Sequence, residues 1–294
     1  MNNTSDKHLH IVSFDVPYPA NYGGVIDVFF RIKALSQRGV KIHLHCFEYG
    51  REHSAYLESF CHSVTYYKRE TKVAKLFNTL PYIVCSRDSE ELRNNLLKDD
   101  YPILLEGLHC CSILTYDVFK DRNIIVRAHN VEHEYYEHLA MAEVDAKKKV
   151  YLRQEVRKLK DFEPILNKAK AILAISQKDY EYFSQKYNNV YMLTAYNAYT
   201  EVDILEGGSD YVLYHGNLSV AENYSAAEYI VGAFKKTDVK LIVAGMNPPQ
   251  HLVKMIENVP NVELVDSPDD QTLFDLIRHA HINILVTEQA TGLK

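Results

Sequence analysis

Short runs of apolar and β-branched residues alternate along nearly the whole chain with segments whose apolar positions recur every three or four residues. A strand that feeds a crossover helix and returns as a parallel neighbour produces that alternation. The first strand is predicted over 9–14, followed by a loop (15–24) with two prolines and a Gly pair. A helix is predicted over 25–38, where Val25, Val28, Phe29, Ile32 and Leu35 form one stripe, and Gly39 is placed to close it. Further strands read at 40–47, 63–67, 103–106, 124–128, 171–175 and 190–193. Helices fit between them at 88–97, 131–167 and 177–186, the last after the N-cap Ser176. The 131–167 stretch is expected to break, because Pro164 cannot continue an unkinked helix and 142–146 has the character of a turn.

Around 200–210 the apolar pattern lapses, and 206–210, with its Gly pair, reads as a linker. The rhythm then restarts, with strands at 211–215, 239–244, 262–265 and 282–286 and helices at 221–234, 248–257 and 273–278. At 294 residues the chain is long for one core. The expected architecture is therefore α/β in two domains, 1–200 and 201–294. The chain stops eight residues past the last predicted strand, so the second domain is expected to be incomplete.

Composition narrows the function classes. The chain is 47% hydrophobic and 24% charged with no low-complexity tract, which fits a globular protein. A net charge of -6 gives no general pull towards nucleic acid, and no nucleic-acid partner is expected. Lys147, Lys148, Lys149, Arg153 and Arg157 are interleaved with acids, which reads as a solvated helix face before it reads as a membrane-docking patch. The five cysteines are odd in number and lack C-x-x-C spacing, which speaks against a disulfide framework or zinc ribbon and fits a reducing compartment. The N-terminus reads as neither signal peptide nor anchor, and no apolar run approaches the ~18 residues of a spanning helix. A cytoplasmic location is the expectation. Neither half carries G-x-G-x-x-G or a Walker A motif.

Candidate chemistry gathers where strands end. Arg127-Ala-His129-Asn130-Val-Glu132 follows the strand at 124–128, at the sheet edge where open α/β folds bind ligands. A metal site, an acid–base pair and plain helix capping all fit those residue types. His133-Glu134-Tyr-Tyr-Glu137 approaches H-E-x-x-H, but Glu137 stands where the second His is required, and His133 is expected on the surface. Gly23 and Gly24 open the first helix, where free N–H groups face an anion or a hydroxyl, or simply make a tight turn. His215-Gly216-Asn217 with Asn223 repeats this strand-to-helix arrangement in the second half, and Glu288 to Lys294 closes the chain with a carboxylate, Gly292 and a cation.

Taken together, these segments, with 172–176 and Leu241-Ile-Val-Ala-Gly245, resemble the retaining "group 1" family of nucleotide-sugar-dependent glycosyltransferases, built from two facing Rossmann-like domains. The resemblance implies a sugar transferred from a nucleoside-diphosphate donor to a glycan or lipid-linked acceptor, with retention, in cell-surface polysaccharide synthesis. It implies that Gly23 and Gly24 lie by the acceptor and the donor phosphate, with His129 facing the transferred sugar and Arg127, Asn130 and Glu132 around it. Gly216, Asn217 and Asn223 would flank the diphosphate, Gly245 the nucleotide, Gly292 and Lys294 the phosphate turn, and Glu288 the sugar hydroxyls, as a catalytic partner of His129. No cofactor or metal is implied, and a peripheral contact with the inner face of a membrane fits a lipid-linked acceptor. Relative to that family the chain reads as truncated, with the second acid of the Glu pair beyond Lys294. The rival readings are a nucleotide-sugar epimerase of the same shape and a non-catalytic binding module.

Overall fold

The computed structural model of the chain describes residues 7–143, 145–199 and 209–286, so the 206–210 linker lies largely outside the described residues. The described residues divide into two compact units, the first up to Ala198 and the second from Tyr199 onwards.

In the first unit, strands β1 (His8–Ser13), β2 (Lys41–Glu48), β3 (Ser63–Lys68), β4 (Ile103–Glu106), β5 (Ile124–Ala128), β6 (Ala171–Ala174) and β7 (Val190–Met192) form one parallel sheet in the order β3-β2-β1-β4-β5-β6-β7. Helices α1 (Gly23–Gln37), α2 (Ala55–Glu58), α3 (Tyr82–Cys85), α4 (Glu90–Leu96), α5 (Glu132–Ala142), α6 (Ala146–Phe162) and α7 (Gln177–Ser184) connect them, with 3-10 turns at Leu108–Thr115 and Glu163–Lys168. The strand order reverses between β1 and β4, and the carboxyl ends of the strands at such a reversal are where open α/β sheets generally bind ligands. Each face of the sheet has its own core: Val12, Phe47, Leu105 and Val126 pack on one side, and Ile11, Leu44, Leu104 and the α1 residues Val28 and Ile32 on the other.

The local signals act where they were read. Gly39 has φ of 77°, which a side chain resists, and it ends α1. The Ser176 side chain accepts from the Asp179 N–H at the start of α7. The 131–167 stretch becomes α5, α6 and a 3-10 turn with Pro164 in its first turn. The short helices α2 and α3 were not predicted, because four residues are too few to show a helical period.

The second unit repeats the plan on a smaller scale. Strands β8 (Tyr211–Asn217), β9 (Lys240–Met246), β10 (Val262–Asp266) and β11 (Ile282–Ile284) form a parallel sheet in the order β10-β9-β8-β11, with α8 (Ala221–Phe234), α9 (Gln250–Glu257) and α10 (Asp270–His279) as the crossovers. Its core is built on Tyr214, Leu241, Val243, Ile230 and Leu252.

Candidate functional site

The carboxyl ends of β4 and β5 carry a buried charge network. Alternation along β5 turns Arg127 towards α1, and Glu106 is its partner in register on β4. Asp27 and Arg31 sit one turn apart on α1 and share a face. Arg31 Nη1 donates to Asp27 Oδ2 at 2.7 Å, and its Nη2 donates to Glu106 Oε1 at 2.5 Å. Arg127 Nε donates to Asp27 Oδ2 at 3.0 Å and Nη2 to Oδ1 at 3.2 Å. His129 Nε2 lies 2.9 Å from the remaining Glu106 oxygen, Oε2. Asp27 and Glu106 are fully buried.

Two carboxylates face two guanidiniums, so the network is close to neutral. Burial pushes the Asp27 carboxyl up, but the Arg31 and Arg127 charges outweigh it and bring it down to about 2. For Glu106 burial also raises the value, and the Arg31 charge with the His129 hydrogen bond turns the balance, leaving it below the usual carboxylate range. Asp27, Glu106 and His129 bring three ligand-type atoms within 4.8 Å of one another. Both Asp27 oxygens and Glu106 Oε1 accept from Arg31 or Arg127, so guanidinium charges already face these carboxylates.

His129 is the member of this network that reaches the edge. Its bond to a carboxylate places a ring hydrogen on Nε2, which leaves Nδ1 on the side of the ring away from Glu106. The Phe14 ring, just past β1, stands edge-on to it at 5.5 Å. Buried Arg87 fixes that residue by donating to the Phe14 carbonyl at 2.8 Å. Gly107, with φ of 73°, turns the chain at the end of β4; a Cβ there would come 2.9 Å from His109 Nδ1.

Several expected ligand contacts have other duties. Arg127 is fully buried, and beyond Asp27 it donates to the carbonyls of Leu193 and Thr194, so it holds the corner together and does not face a ligand. Gly24 makes room for Phe14, whose Cζ would lie 2.8 Å from an added Cβ, while Gly23 has open space. Asp15 holds the loop before these glycines: it accepts from the Val16 N–H at 2.9 Å and the Tyr22 hydroxyl at 3.0 Å. His133, expected on the surface, is only 9% exposed, with Nδ1 3.1 Å from Glu163 Oε2. Glu163 arrives from the turn after α6, a packing that the helical pattern around His133 does not reveal.

Glu132 is also interior. Its side chain bonds to Asn130, and Oε1 has no hydrogen-bond partner, with His109 Nδ1 at 3.7 Å. Burial drives its carboxyl from the ordinary 4.5 to about 8. The folded chain therefore keeps a proton that the unfolded chain gives up between those values, and folding stability falls as pH rises through that window. Glu132→Gln keeps the shape without the proton. Its stability relative to the unaltered chain should rise by about 1.4 kcal/mol per pH unit across the window and level off above it. Parallel denaturation curves for the two proteins between about pH 5 and 8 would refute this.

In the second unit, Gly216 and Gly245 are partners in register on β8 and β9. A Cβ on Gly245 would lie 1.9 Å from the Gly216 carbonyl oxygen, so Gly245 is required by strand packing. The side chain of Asn217 accepts from the N–H and hydroxyl of Ser219, and Asn223 Nδ2 donates to the Asn217 carbonyl at 2.9 Å. Together they form a tight turn at the carboxyl end of β8, leading into α8. Glu288, Gly292 and Lys294 lie outside the described residues.

Sequence reasoning missed Asp27, Arg31 and Glu106. A signal was present, because Asp27 and Arg31 stand one turn apart beside Val28 and Ile32, where a helix packed on a sheet has no reason to place unpaired charges.

No family model matches the chain. It is 33% identical over 177 residues to an "uncharacterized 44.6 kDa protein in cps region" of Klebsiella pneumoniae, an alignment that covers 58% of this chain and 45% of that protein. The chain thus spans about half the length of this curated relative. Among solved structures, it superposes on WaaG, a glycosyltransferase involved in lipopolysaccharide biosynthesis, with a TM-score of 0.58 at 12% identity, covering 96% of this chain and 75% of that one. A UDP-glucosyltransferase from Polygonum tinctorium capable of glucosylating indoxyl gives a TM-score of 0.56 at 11% identity, with 95% and 74% coverage. At such identities the likeness concerns the fold: this chain has the two-unit, Rossmann-like α/β fold of these glycosyltransferases.

Proposed function

We propose that the chain is a glycosyltransferase that moves a sugar from a nucleoside-diphosphate donor to a glycan or lipid-linked acceptor, with retention, in the synthesis of a cell-surface polysaccharide. The observation that carries the reading is His129, held through Nε2 by Glu106 at the carboxyl edge of the first sheet. The polysaccharide product is supported by the relative's cps region and by the lipopolysaccharide role of WaaG.

Breaking the anomeric C–O bond leaves negative charge on the departing diphosphate and positive charge on the sugar. The Gly216–Asn217 turn beside the N-terminus of α8 supports a diphosphate there. His129 Nδ1 accepts from a hydroxyl of the transferred sugar and fixes its position. The departing phosphate takes the acceptor's proton on the face it leaves, which retains the configuration. Arg127 acts through the position of β5, with no contact to substrate.

A cytoplasmic location at the inner face of a membrane belongs to the same proposal. The cysteines are unpaired, and among the described residues no helix is long and apolar enough to cross a membrane. Exposed Met141 and Val150 flank Lys147 and Lys148, which suits a peripheral contact with anionic lipid.

The test incubates the chain with UDP-, GDP-, ADP- and dTDP-sugars, alone and with a membrane lipid extract, and reads nucleoside diphosphate release and the product anomer. Release is expected to depend on the extract, and His129→Ala is expected to cut it by about 100-fold with the fold intact. An altered sugar formed without acceptor would favour an epimerase, and no donor binding at millimolar concentration would favour a non-catalytic module.

A further inference from the structure

At the amino ends of β1 and β2, opposite the His129 corner, three imidazoles gather: His8 on β1, His43 on β2 and His62 in the turn before β3. The His8 and His43 rings are stacked with centroids 5.2 Å apart, and His62 lies 5.0 Å from His43 and 5.8 Å from His8, nearly perpendicular to both. His8 Nδ1 and His43 Nε2 are 2.9 Å apart. Three imidazoles bound to one tetrahedral ion, at a metal–nitrogen distance of about 2.0 Å, hold their ring centroids about 5 Å apart. The spacing of this cluster is close to that arrangement.

The neighbours of the cluster favour ligation. His43 Nδ1 is 3.0 Å from Ser63 Oγ, so a hydrogen bond to that hydroxyl can keep the ring hydrogen on Nδ1 and leave the Nε2 lone pair for an ion. The Tyr101 ring stacks 4.3 Å from His8 and 5.5 Å from His43, which fixes both planes. His8 and His43 are half-buried and His62 is exposed.

A second pair of histidines just inside is not available. His10 lies 2.9 Å from both Asp99 and His45, and His45 lies 2.8 Å from the Tyr67 hydroxyl, so each ring has both nitrogens engaged. The only three ligand atoms within 4.8 Å of one another among the described residues belong to Asp27, Glu106 and His129, so His62 must turn its ring to join the other two. Its side chain is exposed.

We propose that His8, His43 and His62 form a binding site for one divalent late transition-metal ion, Zn²⁺ best matching three neutral imidazoles and a water. The ion takes the His8 Nδ1 and His43 Nε2 lone pairs. The hydrogen shared between them moves to the outer nitrogen of His8, so no net proton is released. Bound there, the ion ties β1 and β2 to the start of β3 at the edge away from the sugar-transfer corner, and the proposal stands independently of that function.

The test titrates ZnCl2 calorimetrically into the whole chain after chelator treatment, alongside thermal unfolding. One ion per chain and a raised thermal midpoint are expected. His62→Ala, an exposed change that removes no hydrogen bond, should weaken binding roughly tenfold or more. It should also abolish the tetrahedral absorption band of Co²⁺ used in place of Zn²⁺. His8→Gln should weaken binding likewise, and His279→Ala, on the second unit, should leave it unchanged. Absence of heat and midpoint shift up to millimolar Zn²⁺, or an affinity unchanged by His62→Ala, would overturn the proposal.

Discussion

Asp27→Ala is expected to destabilise the first unit by about 3 to 5 kcal/mol, because it removes a carboxylate shared by two buried guanidiniums and leaves one of them with no counter-charge. Arg31 is 3% exposed and Arg127 fully buried, and both donate to this one carboxylate, as does the backbone N–H of Tyr196 at 2.8 Å. Without it, Arg31 keeps Glu106 and Arg127 keeps only carbonyls. A loss of that size is a large part of the stability a domain commonly has. Asp27→Asn, which keeps an acceptor of the same shape, should cost less. The chain folds as two units, so a single melting curve would mix them; hydrogen exchange of β4 and β5 peptides in denaturant reads the first unit directly. A change within about 1 kcal/mol for Asp27→Ala would mean that the network is not held as described.

Gly245→Ala should disrupt the second unit while leaving the first intact. The added Cβ would meet the Gly216 carbonyl oxygen at 1.9 Å and Leu218 Cγ at 2.8 Å, and the first of these is backbone, which has no rotamer to yield. Strands β8 and β9 must part at their carboxyl ends, at a cost of about 3 kcal/mol or more. Gly216→Ala is the control, because its Cβ would make only ordinary contact with Asn223 at 3.5 Å. Exchange protection of β8 and β9 should fall in the first variant and persist in the second. Equal protection in both would contradict the close approach of these strands. Steric demand within the sheet by itself accounts for a glycine at position 245.

The parts of the molecule legible from sequence are those governed by neighbours along the chain. Strand β5 and helix α8 have the bounds that periodicity gives, and the break between α5 and α6 falls where turn residues interrupt the stripe. The polar strand end at 127–132 is visible in the sequence, but which of its side chains turn inward is not. Arg127 and His129 are two residues apart on one strand edge, yet Arg127 points to a carboxylate 100 residues away in sequence while His129 reaches the edge. Neither periodicity nor residue type distinguishes those fates.

By itself, the sequence determined the alternation of strands and helices, the parallel α/β class and the strand end at which polar chemistry gathers, because hydrophobic period, caps and turn residues act within a few residues of themselves. Only the tertiary structure decided which charges neutralise one another, which glycines are steric necessities and which histidines meet. Those depend on segments brought together across the sheet, where the cost of burying an unpaired charge or overlapping two backbones is set by neighbours distant in the chain.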